Sequence, residues 1–179
     1  MSLENKKYCA FLRGVNVNGT QMKMAEVCSV FEGVGVKNVS AVLATGNIIF
    51  SSEKEKSVLK NSLEQAMSAH FCYEAFLFIK DKNEIEIIFN NNPFVPKEDF
   101  HIYCFIGIDG VENTLMTEFE KGQKSDGEEA KIIAQNFYWK VAKGNTLDSS
   151  FGKILGRKNL KDALTSRNIN TLEKVLKKM

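Results

Sequence analysis

The sequence predicts an α+β fold in which one order of elements, β-α-β-β-α-β, is used twice. Three observations carry this. Short apolar runs at Tyr8–Leu12, Val39–Leu43, Ile48–Phe50 and Glu74–Ile79 have the length and period of strands. Two stretches between them, 22–33 and 53–70, carry apolar residues at helical spacing. A similar order then returns after residue 100 with no visible repeat of the sequence itself. Split β-α-β units of this kind make antiparallel four-stranded sheets with two helices on one face, so the expectation is a duplicated ferredoxin-like architecture with a C-terminal helical extension.

In order, Tyr8–Leu12 is a buried strand flanked by Lys6-Lys7 and Arg13-Gly14. A loop with two glycines and two asparagines follows, Gly14-Val15-Asn16-Val17-Asn18-Gly19. Met24, Val27, Cys28, Phe31 and Val34 then mark an amphipathic helix stopped by Gly33 and Gly35. Ala44-Thr45-Gly46-Asn47 reads as a tight turn between two strands, since Gly and Asn tolerate positive φ. Ser51-Ser52, followed by Glu53 and Glu55, is expected to open a helix whose apolar face is Val58, Leu59, Leu63, Ala66, Met67 and His70.

The second half opens with a helix over about 82–90. Asn90-Asn91-Asn92 and the only two prolines, Pro93 and Pro96, follow and resist both regular structures. The expected division is a first subdomain over 1–80, a linking helix and loop over 81–100, and a second subdomain over 101–179. Within the second, His101–Ile108 is a strand and Val111–Phe119 a helix. Glu129–Ala134 with Asn136–Val141 is a hairpin that puts Phe137 and Trp139 on one face. Asp148-Ser149-Ser150 should cap a helix that Gly156 interrupts and Leu160, Ala163 and Leu164 continue. Asn170-Thr171 should cap the last one.

Bulk properties exclude several classes. The chain of 179 residues is 44% hydrophobic with thirteen Phe, enough for a core, and its net charge of +2 makes the whole molecule no polyanion binder. Residues 153–179 hold eight Lys/Arg against Asp162 and Glu173; lysines on helix ends are the simpler reading, a phosphate-docking tail the other. Cys9, Cys28, Cys72 and Cys104 form no C-x-x-C pair and there are two histidines, so no metal and no cofactor is expected. Scattered thiols predict a cytoplasmic protein; no signal peptide and no membrane span is read.

Four stretches together resemble a known family. They are Leu12-Arg13-Gly14-Val15-Asn16-Val17, Thr45-Gly46-Asn47-Ile48-Ile49-Phe50, Asn92-Pro93-Phe94 and Arg167-Asn168-Ile169-Asn170-Thr171. They are similar to stretches of a bacterial family filed as domain of unknown function 1697. The chain departs from the family pattern at Asn18, where a glycine is usual, and at Ile169, where a tryptophan is. It also lacks a clean Ser-Lys-Leu triplet at Ser150-Phe151-Gly152-Lys153. The resemblance implies ferredoxin-like halves and brings no established activity with it.

Gly14 and Gly19 have the separation of a phosphate-binding P-loop, but Thr20-Gln21 stand where that loop needs Lys and Ser/Thr, and the element order is not that of a parallel sheet. A more modest site survives. Arg13 offers a planar charged fork for carboxylate or phosphate, and backbone N–H groups before a helix favour an anion. Arginine is scarce, at 13, 157 and 167 only. The candidate ligand-binding residues are therefore Arg13, Gly14, Asn16, Asn47, Arg167 and Asn168, expected to converge on one pocket for a phosphorylated metabolite or nucleotide. The competing reading of Arg13 and the asparagines is an ion pair and turn chemistry. A single-stranded nucleic-acid or protein-interaction module is the alternative function, and would need Phe76, Phe78 and Trp139 exposed. An enzyme with unidentified catalytic groups is the third. His70 and His101 read as structural, and no Ser or Cys has a nucleophile's setting.

Overall fold

The computed structural model describes residues 5–15 and 21–179. Its first compact unit takes in Met1–Ile85 with Lys174–Met179, and its second Glu86–Glu173. The chain therefore passes from one unit to the other twice, within helices α3 (Lys82–Asn90) and α6 (Ile169–Lys178). The segment expected as a linker over 81–100 is α3 followed by the Asn-Pro turn.

The first unit is β1 (Lys6–Arg13), α1 (Met24–Gly33), β2 (Lys37–Val42), β3 (Asn47–Ser52), α2 (Lys56–Phe71) and β4 (Phe76–Asp81). The strands pair antiparallel in the order β2-β3-β1-β4, the ferredoxin-like order. Strand alternation sends Tyr8, Ala10 and Leu12 to the helical face, where they meet Val27 and Phe31 of α1 and Leu59, Leu63 and Met67 of α2. Cys9 and Phe11, on the opposite face, are also buried, as the unbroken apolar run of β1 requires. Truncating a residue such as Leu63 would cost about 2–5 kcal/mol.

Two expectations for α2 are corrected. Ser51 and Ser52 end β3 instead of opening the helix, and the N-cap is Glu55. Val58 and His70 lie on its exposed side, because the buried stripe is the Leu59–Leu63–Met67 row of i, i+4 neighbours.

The second unit repeats the plan with β5 (Phe100–Gly107), α4 (Val111–Lys121), β6 (Glu129–Ile133), β7 (Asn136–Ala142), α5 (Ser150–Ile154) and β8 (Leu164–Asn168), sheet order β6-β7-β5-β8. Phe105, Phe137, Trp139 and Val141 face Leu115, Phe119 and Phe151, with Trp139 packed edge-on to Phe151 at 5.0 Å.

The expected late helix is the main error. It stops after five residues at Ile154, passes through a 3-10 turn at Lys158–Leu160, and the chain then forms a strand, β8. Leu160 is buried from that turn, and Leu164 from the strand. Ser149 is the cap, accepting the Gly152 N–H at 2.9 Å.

Candidate functional site

β1 lies between β3 and β4, so Arg13, its last residue, is delivered to the end of a strand held on both sides. Arg13 stands opposite Phe76 of β4 and is half-buried. Gly14 then turns at φ +76°, a conformation open to glycine. The strand end is clamped to the β2–β3 turn: the Leu12 N–H donates to the Gly46 carbonyl at 2.8 Å. Gly46 itself has φ +76°, and a Cβ there would lie 2.7 Å from Val15 Cγ2. Two of the four marked stretches, Leu12–Val15 and Thr45–Asn47, thus form one cluster. Asn16, with the rest of residues 16–20, lies outside the described residues. Where the chain resumes, α1 starts without a side-chain cap, after an extended Lys23.

Asn47 is fully buried. Its amide donates to the Val42 carbonyl at 2.8 Å and to Thr45 Oγ1 at 3.0 Å, holding the hairpin turn closed from inside. That is the turn-shaping role a hairpin asparagine offers.

Arg167 and Asn168 belong to β8, in the second unit. Arg167 stands next to Cys104 on β5, and Cys104 next to Tyr138 on β7. It is 7% exposed, and its Nη1 donates to Thr165 Oγ1 and to the Ser166 carbonyl, both at 2.8 Å. The Cys104 thiol donates to the Arg167 carbonyl at 3.3 Å. Burial pushes that thiol up to about 12, the nearby guanidinium pulling the other way. Asn168 starts α6: its Oδ1 accepts the Asn170 N–H at 3.0 Å, and its Nδ2 lies 3.2 Å from His101 Nδ1. The cap expected at Asn170 is therefore made by Asn168.

The candidate residues divide between the units: Arg13, Gly14 and Asn47 in the first, Arg167 and Asn168 in the second. The third marked stretch is structural. Asn92 and Phe94 exchange two hydrogen bonds, at 2.9 and 3.2 Å, and the buried Phe94 ring carries Lys131 and Lys140 at 5.4 and 5.5 Å. Lys140 was missed by sequence reasoning. It is 9% exposed, pairs with Glu129 and also caps the Phe100 ring at 5.2 Å. Its position inside the apolar run Phe137–Val141 was the available signal.

Phe78 and Trp139 are 6% and 1% exposed and Phe76 is half-buried, so two of the three aromatics that a stacking nucleic acid would need are packed away. No group of three or more His, Cys, Asp or Glu able to hold a metal occurs among the described residues, and no helix there is long and apolar enough to cross a membrane.

The topology and the two sheets define an α+β protein of duplicated ferredoxin-like halves. The chain belongs to the family described as Protein of unknown function (DUF1697), whose model matches residues 5–138. The match includes the Arg13 loop, the Gly46 turn and Asn92-Pro93-Phe94, and stops before Arg167. The fold is similar to that of the conserved bacterial protein SP0830 from Streptococcus pneumoniae, at 20% identity and a TM-score of 0.77, covering 97% of this chain and 98% of that one. No curated protein matches the chain.

Proposed function

We propose that this protein binds a small anionic ligand, a phosphorylated metabolite or nucleotide, at the loop that begins Arg13-Gly14-Val15-Asn16. The observation that supports this is the setting of Arg13. Arg13 is half-buried at the end of an inner strand, and the Leu12–Gly46 hydrogen bond holds the following turn. A cation on so rigid a base loses little further freedom on meeting a phosphate. Asn47 serves this site by holding the Gly46 turn, and Arg167 and Asn168 serve the second unit's own structure. None of the four cysteines is in a disulfide, which suits a reducing cytoplasm.

The test is a thermal-shift screen against nucleotides, sugar phosphates and oligonucleotides. A ligand near 100 times its Kd should raise the melting temperature by roughly 5–10 °C. Arg13→Ala should remove that rise, and Arg13→Lys should restore only part of it, since a point charge does not replace the fork. If Arg13→Ala leaves every shift unchanged, the loop is structural. A shift with oligonucleotides alone would favour the interaction-module reading.

A further inference from the structure

Among the described residues four strands stand at sheet edges: β2 and β4 in the first unit, β6 and β8 in the second. An edge strand offers N–H and C=O groups to any other strand, and proteins that stay apart cover them. Three of the four edges here are covered. On β4, the Leu77 N–H donates to Glu64 Oε1 at 2.9 Å and its carbonyl accepts from Lys60 Nζ at 2.6 Å. On β2, the ladder shifts register between Lys37 and Ser40, Asn38 has φ +55°, and the Ala41 carbonyl accepts from Lys178 Nζ at 2.8 Å. On β8, Arg167 covers the Ser166 carbonyl.

No described side chain does this for β6. The two residues of its hairpin turn, Ala134 and Gln135, both have positive φ (47° and 61°), a type I′ arrangement. Such a turn makes Ile133 and Asn136 a hydrogen-bonded pair, and alternation then directs the N–H and C=O of Ala130 and Ile132 outward. Glu129, Lys131 and Ile133 are exposed, and Ala130 and Ile132 half-buried.

We propose that β6 is a homodimer interface, in which a second copy of this chain pairs antiparallel with it and Ala130 meets Ala130 across the two-fold axis. The charges select this partner and this register. Centred on Ala130, the pairing sets Glu129 of each copy opposite Lys131 of the other, at the non-hydrogen-bonded positions where side chains come closest. Centred on Lys131, it would set lysine against lysine, which is destabilising. An isologous contact satisfies both charge pairs at once, and it joins two four-stranded sheets into one. Glu129, whose side chain is 48% exposed, can meet the second copy while it also receives Lys140.

Sedimentation of the full chain from about 10 µM to about 1 mM should show a dimer fraction that rises with concentration. Lys131→Glu and Glu129→Lys should each weaken it at least about tenfold, through like charges at the paired positions. An equimolar mixture of the two variants should recover the dimer, since each then faces its opposite. Ala130→Pro, which removes an outward N–H and is tolerated at an edge, should abolish it. The fluorescence of Trp139, buried beside β6 opposite Ala130, reports that each variant is folded. A wild-type chain monomeric at every concentration overturns the proposal. So does a dimer indifferent to both charge reversals, or a mixture that fails to recover it.

Discussion

The Trp139 indole N–H donates to Glu128 Oε1 at 2.9 Å, and the other oxygen of that carboxylate accepts the Ser125 N–H at 2.8 Å. Glu128 is 7% exposed, so one buried carboxylate satisfies the buried indole and a half-buried backbone N–H at the entrance to β6. Glu128→Ala removes both acceptors and should cost about 1–3 kcal/mol. Glu128→Gln keeps an acceptor for the indole and should cost less. The chain has one tryptophan, so a denaturant melt followed by its fluorescence reads this unit directly. Equal stability of wild type and the alanine variant would show that the pair contributes nothing.

Gly46 holds the strand end that carries Arg13. A Cβ there meets Val15 at 2.7 Å and Leu12 at 3.0 Å, and its φ of +76° disfavours any other residue. Gly46→Ala should therefore destabilise by about 1–3 kcal/mol. It should also displace the Arg13 turn, so whatever ligand shift the wild type gives should fall by more than the change in stability alone explains. Gly35, also at positive φ (+89°) but with open space around it, is the control: Gly35→Ala pays only the backbone term.

How much of this was legible depends on where the information lies. β7 could be read because Phe137, Trp139 and Val141 alternate with the sheet's own period. β8 could not, because Leu-Thr-Ser-Arg-Asn carries no such pattern and becomes a strand only by pairing with β5. The break at Gly156 was legible, since α5 ends at Ile154 and a turn follows; the continuation of that helix through Leu164 was misjudged, because Leu164 is held by pairing with Gly107 of β5. Arg13 and Gly14 were legible as a strand end followed by a turn. The work of Asn47 was not, since it depends on where the Val42 carbonyl falls, and neither was the cap at Asn168, two residues earlier than the Asn170-Thr171 pair suggested.

Asp81 and Glu84 were available in the sequence as a capping box at the start of α3, and they set an acid limit on stability. The Glu84 N–H donates to Asp81 Oδ1 at 2.9 Å, the Asp81 N–H to Glu84 Oε2 at 2.8 Å, and Lys56 bridges both carboxylates. Burial alone would raise the Asp81 carboxyl, but the Glu84 N–H and the Lys56 ammonium outweigh it and hold the group below its ordinary 3.8. A carboxyl lowered on folding stabilises at pH values above its unfolded pKa, and that contribution is lost as pH falls through the folded value. Asp81→Asn keeps the cap and removes the charge. The variant should be somewhat less stable than wild type at neutral pH, and the gap should close as the pH drops below 3.8. Urea midpoints for the two proteins from pH 6 to about pH 2 give the measurement; a gap that stays constant across that range would mean the Asp81 charge does not contribute.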